Sequence, residues 1–191
     1  MSDTDRLLMN LILFGMLPLW GIAGFIDWCC HRATRIERTS GLNESLVHSL
    51  MGVQLGIPIV LGLLFKVNVL FLLICIAAWI LHEIVAHWDV HYSAPLRKIT
   101  IWEVHVHNYM ATLPLFLLML IAVLNWDVVL ALVQLDWAGQ MKMERLEAPH
   151  GGSSYVLAYL TFMGLLCVIP YIEENLRCWR ALRDGTWKPS L

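Results

Sequence analysis

Hydrophobic residues in this chain come in long unbroken blocks, and polar residues are crowded into the short segments between them. Five blocks stand out, over residues 7–26, 46–65, 69–88, 106–124 and 155–172. None alternates polar with apolar, so they read as helices and not as strands. Each is close to the roughly 20 residues a helix needs to cross about 30 Å of hydrocarbon. Pro18, Pro58, Pro114 and Pro170 fall inside the blocks or at their ends. Soluble helices are kinked or broken by interior prolines, whereas membrane helices tolerate them. A shorter apolar stretch, 128–135, is too short to cross. It predicts an interfacial or re-entrant piece within a loop that ends in Pro149-His150-Gly151-Gly152. The expected fold is an all-α integral membrane protein, a single transmembrane domain over residues 1–191 with about five spanning helices.

Composition agrees with this pattern. Of 191 residues, 59% are hydrophobic and 15% charged, against about a quarter charged in ordinary soluble domains. The net charge of -2 is uninformative, and the absence of a basic domain or basic-aromatic groove argues against a nucleic-acid partner. Cys29, Cys30, Cys75, Cys167 and Cys178 offer no disulfide framework, and the adjacent Cys29-Cys30 cannot make a zinc clip of the CxxC kind. They read as packing residues. Asp3 and Asp5 make the N-terminus acidic and no small-x-small site follows the first block, so that block is expected to be retained and not cleaved as a signal peptide.

Charge between the blocks predicts orientation. Arg32, Arg35 and Arg38 follow the first block, Arg97 and Lys98 the third, and Arg177, Arg180, Arg183 and Lys188 the fifth. The other side holds only Arg6, Lys66, Lys142 and Arg145. The positive-inside rule then puts the C-terminus in the cytosol and the N-terminus outside. Trp28, Trp88 and Trp102 suit the cytosolic interface, and Trp126 and Trp137 the outer one.

Against this frame the histidines are not randomly placed. Asp27-x-x-x-His31 ends the first block and Glu44-x-x-x-His48 opens the second. Glu83-x-x-x-His87 ends the third, with His82 beside it and His91 one turn beyond; Glu103-x-x-x-His107 opens the fourth, with His105 between. On a helix an acid four residues before a histidine shares its face, one turn away. With 15 acidic residues in 191 positions, eight histidines should show fewer than one such pair by chance. Four occur, one on each of the first four blocks, all at the side assigned to the cytosol. Ionisable groups in membrane spans are costly and default to functional sites.

Helix direction sorts the pairs into two layers about 6 Å apart. The deeper holds Asp27, His48, Glu83 and His107, the shallower His31, Glu44, His87 and Glu103, with His91 above it. Each offers two carboxylates and two imidazoles, enough to ligate one metal ion. Four helices are therefore expected to bundle around two metal ions, with ligands drawn from Asp27, His31, Glu44, His48, His82, Glu83, His87, His91, Glu103 and His107. Such mixed ligation suits iron, zinc or manganese, and it is similar to the four-helix carboxylate di-iron proteins. Asp89, two turns after His82 on one face, is expected to orient it from behind, and His105 to lie outside the first ring of ligands. Arg32 and Arg35 are candidates for holding an anionic headgroup or a redox partner.

The HxxxH spacing of His87 and His91, with ligands gathered at cytosolic helix ends, resembles the histidine-rich membrane di-iron enzymes of the fatty-acid hydroxylase and desaturase type. The HxxHH boxes of that class are absent, and the share of carboxylates is higher. The resemblance spans residues 27–107 and is one of class. It implies di-iron, dioxygen-dependent hydroxylation or desaturation of a lipid or other hydrophobic substrate, with an external electron donor. One alternative is a zinc-dependent lipid hydrolase similar to the ceramidase group, with an activated water on one ion. Another is a non-enzymatic metal- or haem-binding membrane protein.

Overall fold

Capping side chains set where the helices begin. In the computed structural model, which describes residues 2–187, Ser2 and Asp5 cap each other reciprocally at the start of α1 (Asp3–Thr34). Gly41, at φ 73°, turns the chain into α2 (Leu42–Leu64) in a conformation that favours glycine. The Asn68 side chain accepts from the Phe71 amide and begins α3 (Val69–Ser93). Thr100 and Glu103 form a second reciprocal cap at α4 (Ile101–Leu124). The short α5 (Trp126–Val133) falls on the short apolar stretch, and α6 (Gly152–Arg183) completes the chain. Lys188, counted among the basic residues after the fifth block, lies outside the described residues.

Five of these helices are long and apolar enough to cross a membrane. Each extends past its apolar block at one end, α3 to Ser93 and α6 to Arg183, while α2 begins at Leu42 and α4 at Ile101. The acid-histidine pairs therefore stand on rigid helix and not in loops. Two π-helical segments, Ile12–Met16 and Gly164–Val168, lie just before Pro18 and Pro170. Proline removes the amide that would bond four residues back, and a wider turn accommodates that loss. Pro58 and Pro114 sit inside α2 and α4 without ending them.

The five long helices form a ring, α1 against α4, α4 against α3, α3 against α2, α2 against α6, and α6 back to α1. Gly21 permits the last contact. A Cβ there would lie 2.6 Å from the Phe162 ring. Packing is apolar at the end of the ring remote from the acid-histidine pairs. One cluster joins Leu13, Trp20, Leu55, Leu117 and Tyr159; another joins Phe71, Leu72 and Cys75 to Val128 of α5. The outward faces carry Leu7, Phe14, Leu81, Val123 and Leu157 in the open.

The loop between α5 and α6 clamps the α2–α3 turn. Lys66 N donates to Glu144 O at 2.8 Å, Leu146 N to Leu64 O at 2.9 Å, and the Asn68 side chain to Lys142 O at 2.8 Å. Asn68 thus caps a helix and anchors a loop with one amide. Replacing it with alanine is expected to lower stability by about 1–2 kcal/mol, read as a lower unfolding midpoint in detergent with helix content intact below the transition. An unchanged midpoint would show that the loop is not held this way.

Candidate metal centre

Where the apolar blocks give way to the acid-histidine pairs, the ring encloses polar groups almost sealed from solvent. Asp27 and His31 of α1, Glu44 and His48 of α2, Asp89 of α3, Glu103 of α4 and Glu174 of α6 are all buried, as is Arg97 from the α3–α4 connection. His107 of α4 is a quarter exposed at its side chain. Five carboxylates thus meet three imidazoles and one guanidinium.

Two of the imidazoles, His31 and His48, have one acid behind them. Nδ1 of His31 lies 3.1 Å from Glu174 Oε2, and Nδ1 of His48 lies 3.6 Å from Glu174 Oε1. The two rings stack with centroids 4.5 Å apart and 15° between planes. Their other nitrogens face the remaining acids. His31 Nε2 is 3.4 Å from Glu103 Oε1 and 3.5 Å from Asp27 Oδ2, and His48 Nε2 is 3.2 Å from Asp89 Oδ2 and 3.9 Å from Glu44 Oε1. His107 Nε2 approaches Asp27 Oδ1 at 2.9 Å, while the Tyr171 hydroxyl donates to Asp27 Oδ2 at 3.2 Å.

Arg97 closes the cluster. Its Nε and Nη2 donate to Glu44 at 2.5–3.1 Å, and its Nη1 donates to Glu103 Oε2 at 3.0 Å, with a further short contact from Nη2 to Glu103 Oε1. Such forked pairs are the strongest a guanidinium makes. Burial by itself would pull the Arg97 pKa down. The Glu103 and Glu44 carboxylates outweigh it and hold the group above its already high value.

Several buried atoms nevertheless lack an aligned hydrogen-bond partner: His31 Nε2, His48 Nδ1, and an oxygen on each of Asp27, Asp89 and Glu174. Native interiors leave few such atoms unsatisfied. Two sets of side chains bring one ligand atom each within 4.8 Å of the others, Asp27–His31–Glu103–His107 and His31–Glu44–His48. These buried groups could hold a metal ion. A cavity of about 940 Å³ runs from Asp27, His48, Asp89 and His107 into the apolar middle of the ring.

The structure brings six of the sequence-predicted ligands together, Asp27, His31, Glu44, His48, Glu103 and His107, and it does not reproduce the two layers. The sets form between side-chain neighbours and mix the deep and shallow positions. Glu83, His87 and His91 are not among them. Glu83 is half-buried, His87 and His91 are exposed, and the last two rings stand 5.7 Å apart on the outer face of α3. α3 is rotated so that Asp89 and His82 face inward instead. Asp89 meets His48 and not His82, and His82 lines the cavity. His105 is exposed, its Nδ1 2.9 Å from the Ile101 carbonyl oxygen. Arg32 pairs with Glu173 at 2.6 Å and lies over Trp28, and Arg35 is exposed at the left-handed end of α1.

Sequence reasoning missed three groups. Arg97 counted only as orienting charge. Glu174 and Tyr171 fell at or beyond the end of the last apolar block. The buried series Glu174, Cys178, Ala181 continues the helical spacing there and was a usable signal.

Comparison with known proteins adds no further constraint: no protein-family model, curated protein or solved structure matches the chain. Fold and centre together define a ring of long apolar helices around a buried carboxylate–imidazole cluster.

Removing Arg97 should leave two buried carboxylates uncompensated, a change that typically destabilises by about 3–5 kcal/mol. Arg97→Met is expected to melt well below the parent protein at matched metal content. Arg97→Lys should fall between them, because it keeps the charge and loses the fork. If Arg97→Met melted with the parent, the guanidinium would not be holding the cluster.

Proposed function

We propose that this chain is an integral membrane protein that holds two divalent metal ions, as an iron pair, and uses them with dioxygen to oxidise a hydrophobic substrate drawn from the bilayer. One observation carries the reading. Five buried carboxylates against one guanidinium leave four negative charges when the histidines are neutral. Two divalent ions would cancel that charge, and they would engage His31 Nε2 and an oxygen on each of Asp27 and Asp89, which otherwise have no aligned partner.

In this reading the first ion lies among Asp27, His31, Glu103 and His107. The second lies against Glu44, His48 and Asp89. Glu174 then acts behind the ligands. A carboxylate on the second nitrogen of a metal-bound imidazole fixes its tautomer and orientation and raises its basicity, and here one acid serves His31 and His48 at once. The mixed oxygen and nitrogen donors suit iron, manganese or zinc. An iron pair supplies redox chemistry with dioxygen. Inserting one oxygen atom into a carbon–hydrogen bond then takes one dioxygen, two electrons from an external donor and two protons, and releases one water. The Tyr171 hydroxyl on Asp27, where the cavity meets the cluster, is placed to hold one such proton.

The apolar outward faces and the five long helices support placement in a bilayer. The basic residues at the cluster end favour the cytosolic side for it. A single-zinc lipid hydrolase is the second reading. It is favoured by the four-residue set taken alone and by Arg97 already engaging Glu44 and Glu103. A haem between His31 and His48 is disfavoured, because rings stacked at 4.5 Å leave no space for a macrocycle.

Metal analysis of the purified protein is expected to give two iron ions per chain. Glu174→Gln should weaken retention of both ions by about 10- to 100-fold, and the double variant His87→Ala/His91→Ala should leave the count unchanged. A single zinc per chain would overturn the iron-pair reading in favour of the hydrolase, and a Soret band would overturn both.

A further inference from the structure

The cavity beside the cluster has a lining that restricts what it can take. We propose that it binds one long, unbranched hydrocarbon chain bearing a single uncharged oxygen group, an alcohol or an aldehyde. This rests on the oxidation reading above and names its substrate class.

Shape gives the chain. At about 940 Å³ the cavity is in the size range of small-molecule sites. Along α2 its lining runs from His48 to Leu61, about 20 Å of helix. Near the cluster α2 and α6 are laced together, with Ser45 Oγ donating to Asn175 at 2.9 Å and Asn175 Nδ2 donating to Ser49 at 2.7 Å. Beyond that ladder both helices present glycine to the cavity. A Cβ added to Gly56 of α2 or Gly164 of α6 would meet nothing within 4 Å. The missing side chains leave a long apolar slot leading to the cluster.

Polarity gives the head. His82 lines the slot, is 5% exposed, and has no hydrogen-bond partner at Nδ1. It stands two turns from Asp89, about 10 Å along α3. A buried imidazole nitrogen without a partner is costly, and an oxygen group on the bound chain satisfies it. Charge then excludes an ionised head. Among the described residues no lysine or arginine lines the cavity, its charged lining is acidic at Asp27 and Asp89, and Arg97 is committed to Glu44 and Glu103. An anionic carboxylate or phosphate would find no free cationic side chain there, and the two ions of the reading above are already balanced by the buried carboxylates, whereas a hydroxyl or carbonyl needs no counter-charge.

The test uses the purified, metal-loaded protein and a photoactivatable long-chain alcohol, with adducts mapped by mass spectrometry and metal measured in the same samples. Adducts are expected on the cavity faces of α2 and α6, near Gly56 and Gly164, and unlabelled hexadecanol should displace them. Hexadecane and hexadecanoate should compete about tenfold less well. His82→Leu should abolish the preference for alcohol over alkane, and Gly56→Leu should suppress labelling without changing the metal count. Labelling spread over the outward faces at Leu81 and Leu157 would overturn the proposal, as would a carboxylate that competes equally. The map on the unsubstituted protein decides this even if Gly56→Leu fails to fold. Cavity labelling without two bound ions would sink the oxidation reading and leave the chain site standing. Two bound ions without cavity labelling would sink the chain site alone.

Discussion

Buried negative charge is the constraint around which this structure is organised. A carboxylate taken from water into a low-dielectric interior loses several kcal/mol of hydration unless something nearby replaces it. Here five such groups converge from five helices. Arg97 is drawn under the surface to bridge Glu44 and Glu103, although it sits on a connection that would otherwise stay in water. α6 continues well past its apolar block because Glu174 is needed between two imidazoles. His31 stacks on His48 with both rings facing that one acid, which hydrogen-bonds His31 and lies 3.6 Å from His48.

The opposite end of the molecule supplies the rigidity this arrangement requires. Ligands must be held to within a fraction of an ångström if their geometry is to be set by the protein and not by the ion. The apolar clusters around Trp20 and Phe71, the loop clamped on the α2–α3 turn, and the close approach of α1 to α6 at Gly21 fix the helices where no charge has to be accommodated. The cavity lies between the two ends, lined by residues of α1, α2, α3, α4 and α6. Packing at one end and charge at the other let an apolar slot and a polar cluster share one ring.

The helices and most of the cluster were legible in the sequence, for physical reasons. Block length and the absence of alternation specify long helices, and an acid one turn before a histidine shares its face whatever the tertiary fold, so the pairs on α1, α2 and α4 could be found. What could not be read was the rotation of α3. Residues 72–81 are apolar throughout, so they carry no amphipathic phase to say which side faces in. At about 100° per residue, Asp89 shares a face with His82 and lies roughly 120° from Glu83 and 160° from His87. The recurring spacing favoured Glu83 and His87, whereas the structure turns Asp89 and His82 inward. Glu174 was hidden for a different reason, since a polar run after an apolar block ends a span by hydropathy without ending the helix.

Arg97 bears on how the cluster can hold ions at all. It contacts a carboxylate from each ligand set, Glu103 from one and Glu44 from the other, which looks at first like competition with metal. A carboxylate has about four lone-pair positions on its two oxygens, and the fork of one guanidinium does not exhaust them. Glu44 and Glu103 can therefore keep Arg97 on one side and face His48 or His31 on the other. Held this way, both acids are fixed in orientation before any ion arrives, and the single positive charge offsets part of their repulsion. A lysine could supply the charge and not the two-sided geometry. The guanidinium thus acts as the rigid link between the two sets of side chains, through Glu103 of one and Glu44 of the other.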